Sequence, residues 1–151
     1  MKLTKRGEYG LRALLALAAV YGQKTLSLRE ISAREKLPVK FLEQIMMVLR
    51  RSNLVESVKG KHGGYSLSRP PTEIMAGEVV RAVDGPLAPI GTGREIEKRI
   101  QREDRNAGLY SSLLDVRNAI CEILDHKSLA DICTKSLELA RSKPEKQMYY
   151  I

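Results

Sequence analysis

Lys40, Phe41, Glu43 and Gln44 crowd one short stretch of the chain. Lys59, Lys61 and His62 crowd a second, interleaved with Gly60, Gly63 and Gly64. These are not the makings of an enzyme. The only two histidines are His62 and His126, and no acid, base and nucleophile converge around either. They are residue types that read nucleic acid. A glutamine amide pairs bidentately with adenine, a carboxylate accepts from cytosine N4, and an aromatic ring packs on a thymine methyl. Lysine and arginine neutralise phosphates, which adds affinity without sequence choice. Arg50 and Arg51, and Lys5 and Arg6 near the start of the chain, fit that second role.

Such residues need two elements to present them. Ser27 and Glu30 form a capping box, so a helix starts at Leu28. Its apolar residues are Leu28, Ile31 and Leu37. Pro38 ends it near Lys36 and opens a second helix. In that second helix Leu42, Ile45, Met46 and Leu49 recur at helical spacing and face a core. Lys40, Phe41, Glu43, Gln44 and Met47 fall on its other faces, and Lys40, Phe41 and Gln44 lie within the first two turns, the part of a recognition helix that reaches base edges. Asn53 suits a left-handed cap. Leu54–Lys59 and Tyr65–Ser68 alternate as strands around the glycine-rich tip. Helix, turn, helix and basic hairpin together make a winged helix-turn-helix. The bland alternative is an ordinary helical pair with a surface hairpin, and the basic, glycine-tipped wing argues for DNA.

The charge agrees. The chain of 151 residues carries a net charge of +8. Residues 1–84 hold fifteen Lys/Arg against eight Asp/Glu, while residues 85–151 hold eleven against ten. A basic half that meets anions is thus joined to a nearly neutral half. Phe41 and six tyrosines are the only aromatics, so the core is aliphatic. Leu11–Val20 is too short to span a membrane, and no signal-peptide pattern follows it. Cys121 and Cys133 do not make a secreted disulfide framework. The expected compartment is a reduced bacterial cytoplasm.

Around this centre the chain predicts a helix from about Lys5 to Tyr21, capped by Thr4, with Glu8 in its first turn. Pro70-Pro71 breaks the chain before a short helix over Ala76–Val83. The Gly/Pro-rich run from Asp84 to Gly93 is a linker. Arg94–Arg105 fits either a short surface helix or a loop. A long helix follows from about Ala107 to His126. Its Leu109, Leu113, Val116, Ile120 and Ile123 are spaced four, three, four and three apart, the narrow seam that paired helices bury. Ser128 with Asp131 caps a last helix to about Ser142. The expected organisation is a DNA-binding domain over 1–84, a linker over 85–106, and a dimerisation helix, C-terminal helix and tail over 107–151. The fold class is mainly α with a small β wing.

Four segments resemble the IscR/CymR-type bacterial regulators of the Rrf-two family: MKLTKRGEYGLRALLALA, FLEQI, LRRSNLVESVKGKHGGYSL and AGEVVRAVDGPLAP. The resemblance covers nearly the whole chain. It implies a homodimer in which two winged helices read a palindromic operator, linked by a crossed pair of long helices. It implies DNA contacts from Lys40, Phe41, Glu43 and Gln44, and from Lys59 through Gly64, with Ser27 at the same surface. Phe41 departs from the tyrosine of many relatives, which removes a hydroxyl and keeps a ring. Lys61 and His62 suit a narrow minor groove.

Relatives that sense redox state, iron or nitric oxide hold an iron–sulfur cluster with three cysteines in the linker. Residues 85–108 here contain no cysteine and no histidine. The expectation is therefore no metal and no cluster, with Cys121 and Cys133 as structural thiols. The resemblance is nearer to the cluster-less CymR-like regulators of cysteine metabolism. Gly85-Pro86-Leu87-Ala88-Pro89 and the Tyr150-Ile151 end match that subgroup. It implies binding of cysteine synthase by the tail Met148, Tyr149, Tyr150 and Ile151, with the terminal carboxylate captured in a pocket. The alternative for the tail is packing on its own dimer. Two other readings stay open at this stage: a cluster- or small-ligand-sensing regulator of the same family, and a non-specific DNA-coating protein without operator preference.

Overall fold

Seven helices and one hairpin follow one another in a computed structural model that describes residues 2–88, 90–102 and 105–143. They are α1 (Lys5–Ala18), α2 (Leu28–Glu35), α3 (Val39–Arg51), β1 (Val55–Val58), β2 (Gly64–Leu67), α4 (Ala76–Asp84), α5 (Gly93–Arg102), α6 (Ala107–Asp125) and α7 (Leu129–Arg141). A single 3-10 turn, Pro71–Glu73, precedes α4. The strands pair antiparallel in a register that sets Val55 opposite Leu67 and Val58 opposite Gly64. The protein is mainly helical with a two-stranded wing.

Local sequence rules place most boundaries. The Thr4 side chain accepts from the Gly7 amide and caps α1. Ser27 and Glu30 close a full capping box on α2, and Ser128 and Asp131 do the same on α7. Lys36 and Asn53 both turn left-handed, at φ 54° and 56°, and stop α2 and the turn after α3. α1 is shorter than its apolar pattern suggests. Past Ala18 the amides of Val20 and Tyr21 reach back to Leu17 and Ala18, tightening the turn before Gly22 at φ 74°. Tyr21 is left exposed. Arg94–Arg105, open between helix and loop in the sequence, contains helix α5 over Gly93–Arg102, which packs along α6 through buried Ile96.

The core is aliphatic. Leu14 and Leu17 of α1, Ile31 of α2, Leu42, Ile45, Met46 and Leu49 of α3, and Ile74 and Val79 are all buried in one cluster. Leu129, the first residue of α7, lies in the same cluster, and α7 packs on α1. The C-terminal helix therefore returns to the body that the N-terminal helices build. The return is tied down by backbone bonds from Ala76 N to Lys127 O (2.8 Å) and from Leu129 N to Ile74 O (2.9 Å).

One ion pair fastens α4 to α6. Both terminal nitrogens of Arg81 donate to Asp125, each at 2.7 Å. The Arg81 guanidinium holds the Asp125 carboxyl below the usual carboxylate range. A carboxyl depressed in the folded state stabilises it above the unfolded value, and that contribution is lost as pH falls through the folded value. Both side chains are more than a third exposed, which limits the effect. Asp125→Asn should cost about 0.5–1 kcal/mol at pH 7 and flatten the loss of stability below about pH 4. Urea titrations at pH 7 and pH 3 check this.

Candidate nucleic-acid interface

The α3 helix follows Pro38, whose side chain makes no capping hydrogen bond, so its first amides are left without a side-chain cap. Its buried face carries Leu42, Ile45, Met46 and Leu49. Lys40, Glu43, Gln44, Arg50 and Arg51 stand exposed away from that face. Lys40, Gln44, Met47 and Arg51 recur three or four residues apart, so they line one ridge. Phe41 differs from its neighbours. Its ring is half-buried and meets Tyr9 of α1 edge-on, with centroids 5.6 Å apart. It thus braces α3 against α1 while offering only part of its ring outward.

Val39 and Met47 were not among the contacts expected from sequence, yet they are 43% and 49% exposed on the same helix. Such apolar groups match thymine methyls. Their signal was in the sequence: both fall outside the core stripe of an otherwise well-patterned helix.

The wing is held by three devices. Leu26 and Tyr65 exchange backbone hydrogen bonds at 3.0 and 2.7 Å, so the segment before α2 pairs with β2. The Thr25 hydroxyl donates to the His62 carbonyl at 2.9 Å. The Gly63 amide donates to the Gly60 carbonyl at 3.0 Å and closes the tip, where Gly60 sits at φ 116°. Lys59, Lys61 and His62 stay exposed around it. Gly63 and Gly64 are partly buried and support the wing from inside. Ser27 is also partly buried; its hydroxyl accepts from the Glu30 amide at 3.1 Å.

At the start of α1, Lys5 is exposed and pairs loosely with Glu8 at 3.5 Å. Arg6 is partly buried, and its Nε has no hydrogen-bond partner among the described residues. Just before it, the Thr4 amide and hydroxyl both donate to the Asp84 carboxylate at the end of α4. That carboxylate lies against Gly7, where any side chain would collide with it.

The α6 seam is largely bare. Leu109, Val116 and Ile123, seven residues apart, are 57%, 54% and 60% exposed. Leu113 and Ile120 are half-buried within their own protomer. Met148, Tyr149, Tyr150 and Ile151 lie outside the described residues. No described helix is long and apolar enough to cross a membrane.

Residues 3–135 match the family described as Rrf2, iron-dependent transcriptional regulator. The chain is 31% identical over 151 residues to the HTH-type transcriptional regulator CymR of Bacillus subtilis, covering 100% of both. It is similar to the solved structure of CymR, the global cysteine regulator of B. subtilis, at a TM-score of 0.77 over 89% of this chain and 98% of that one, with 31% identity. It is similar to IscR of T. potens at 0.70, over 99% and 97%, with 32% identity.

The family is described as iron-dependent. Cluster ligation draws on closely grouped thiolates. Cys121 sits on α6 and Cys133 on α7, and burial pushes the Cys133 thiol up. No group of three or more His, Cys, Asp or Glu among the described residues is placed to hold a metal ion. Residues 85–108 contain no Cys and no His, so the linker offers neither thiolate nor imidazole as a donor. Recognition helix, basic wing and end-to-end likeness to CymR agree, and the chain belongs to the Rrf2 family of helix-turn-helix transcriptional regulators.

Proposed function

We propose that this protein is a homodimeric repressor of the bacterial cytoplasm that reads a palindromic operator and works without an iron–sulfur cluster. The observation that carries the reading is the exposed ridge of Lys40, Gln44, Met47 and Arg51 beside a basic wing tip, with every core residue of α3 turned away from it. Gln44 and Glu43 select bases, Val39 and Met47 meet thymine methyls, and Lys61 and His62 enter the neighbouring minor groove. Lys5, Arg6, Arg50 and Arg51 hold phosphates and set the register. The bare heptad of Leu109, Val116 and Ile123 supports a two-fold partner, which doubles the site read. Footprinting on a fragment enriched from random DNA should give two half-sites. Gln44→Ala should weaken that operator by roughly 1–3 kcal/mol and spare random DNA. Equal losses on both would remove Gln44 from base reading, and uniform coating would replace the repressor with a non-specific DNA protein.

The regulated process we propose is cysteine metabolism. Full-length similarity to a CymR supports it, and so do the missing linker cysteines. In this reading the Met148–Ile151 tail binds cysteine synthase. Calorimetric titration against that enzyme should show binding that disappears when Ile151 is deleted. Binding that survives the deletion, or none at all, would overturn the tail assignment and leave the operator reading standing.

A further inference from the structure

A cavity of about 310 Å³ opens where the end of α4, the turn after it, the start of α5 and the middle of α6 meet. No residue assigned above to DNA or to the seam lines it. Pro86, Leu87 and Ala88 give it an apolar wall, and Gly91 and Thr92 close another side. Two guanidinium groups stand in that setting, Arg81 and Arg117, and they are not equivalent.

Arg81 is committed. It forks onto Asp125 with two bonds of 2.7 Å. Arg117 has only a neutral partner, the side-chain oxygen of Asn118 at 3.1 Å. Asp125 feels its charge but already holds Arg81. None of the described ion pairs within 4.0 Å includes Arg117. The Arg117 guanidinium comes within 3.3 Å of where a side chain on Gly93 would begin, so the first residue of α5 leaves room for it. The carboxylate nearest Gly93 in the chain, Glu95, is occupied: it accepts from the Thr92 amide at 2.7 Å and the Thr92 hydroxyl at 3.0 Å.

A cation with no counter-ion among the described residues, set in a recess with apolar walls, is a site for an anion that brings its own apolar body. The planar guanidinium fork matches a carboxylate, and such charge-assisted bonds are about twice as strong as neutral ones. One cation unpaired among the described residues calls for one negative charge. The volume falls at the small end of ligand pockets. We propose that this cavity binds a small monocarboxylate with a short apolar chain, its carboxylate on Arg117 and its chain against Pro86 and Leu87. The position gives such a ligand leverage. Gly85 in the cavity wall directly follows Asp84, whose carboxylate fixes Thr4 at the basic start of α1.

The test uses no DNA and stands apart from the operator reading. The probe is 4-methylpentanoate, titrated calorimetrically into the full-length protein, with 4-methylpentanamide as a neutral control of the same shape. The acid should bind, and the amide at least tenfold more weakly. Arg117→Gln should weaken the acid at least tenfold and leave the amide unchanged. No acid binding up to about 10 mM, equal binding of acid and amide, or full acid affinity in Arg117→Gln would each overturn the proposal. The acid–amide comparison in the unaltered protein decides even if the variant folds poorly.

Discussion

Val116→Glu combined with Ile123→Glu should turn the protein into a monomer and cut operator affinity at least a hundredfold. Both side chains are more than half exposed in the single protomer, so charges there leave the fold of one chain intact. Leu113 and Ile120 would be poorer targets, because they are half-buried and their loss would also damage the protomer. In a paired seam the two glutamates of one helix would face those of the other across a desolvated interface. Monomers bind each half-site separately, and the gain from linking two sites in one molecule disappears. Light scattering reads the mass, and fluorescence anisotropy on a labelled operator reads the affinity. Far-ultraviolet circular dichroism should be unchanged. A variant that stays dimeric would place the interface elsewhere.

Gly64→Ala should cost roughly 2–4 kcal/mol of stability, with the loss centred on the wing. Gly64 sits at φ 152°, which side-chain-bearing residues rarely adopt. An added Cβ would stand 2.5 Å from the carbonyl oxygen of Leu26 and 2.9 Å from the amide of Ser27. Nothing flexible is available to move, since both neighbours are backbone. Relief requires breaking the Leu26–Tyr65 pairing that holds the wing to the head of α2. The melting temperature should fall by roughly 5–15 °C, and DNA binding should weaken even where the protein is still folded. A variant as stable as the parent would mean that the hairpin can slide off α2 without loss.

How much of this was legible beforehand follows from how local each rule is. Ser27 with Glu30, Ser128 with Asp131, and Asn53 at φ 56° are decisions made within four residues, and the sequence pattern announces them. The wing follows from glycines spaced for a tight tip. The core stripe of α3 follows from helical periodicity, and with it the exposed faces that carry Lys40, Glu43 and Gln44. Other features depend on distant partners and leave no local trace. Phe41 is exposed by its position on α3 but half-covered by Tyr9, thirty-two residues earlier. α5 is so rich in charge that its own sequence is compatible with a loop, and its packing along α6 decides the matter. The unequal roles of Arg81 and Arg117 were equally hidden, because they depend on which guanidinium the fold sets against Asp125.

Leu129 carries a consequence for how such a protein can change. It is fully buried in the cluster that α1, α2 and α3 build, although more than a hundred residues separate it from Leu17. The long helix α6 therefore leaves the body at one end and is sewn back into it at the other. Cutting the chain after α4 would not release a free-standing reader, since the fragment would carry an open socket where Leu129 belongs. The two halves are thus coupled in folding. If the ridge of α3 reads DNA as proposed, new operators can arise by altering single residues there, but a recombination joint between reader and coupling helix would have to carry α7 with the reader.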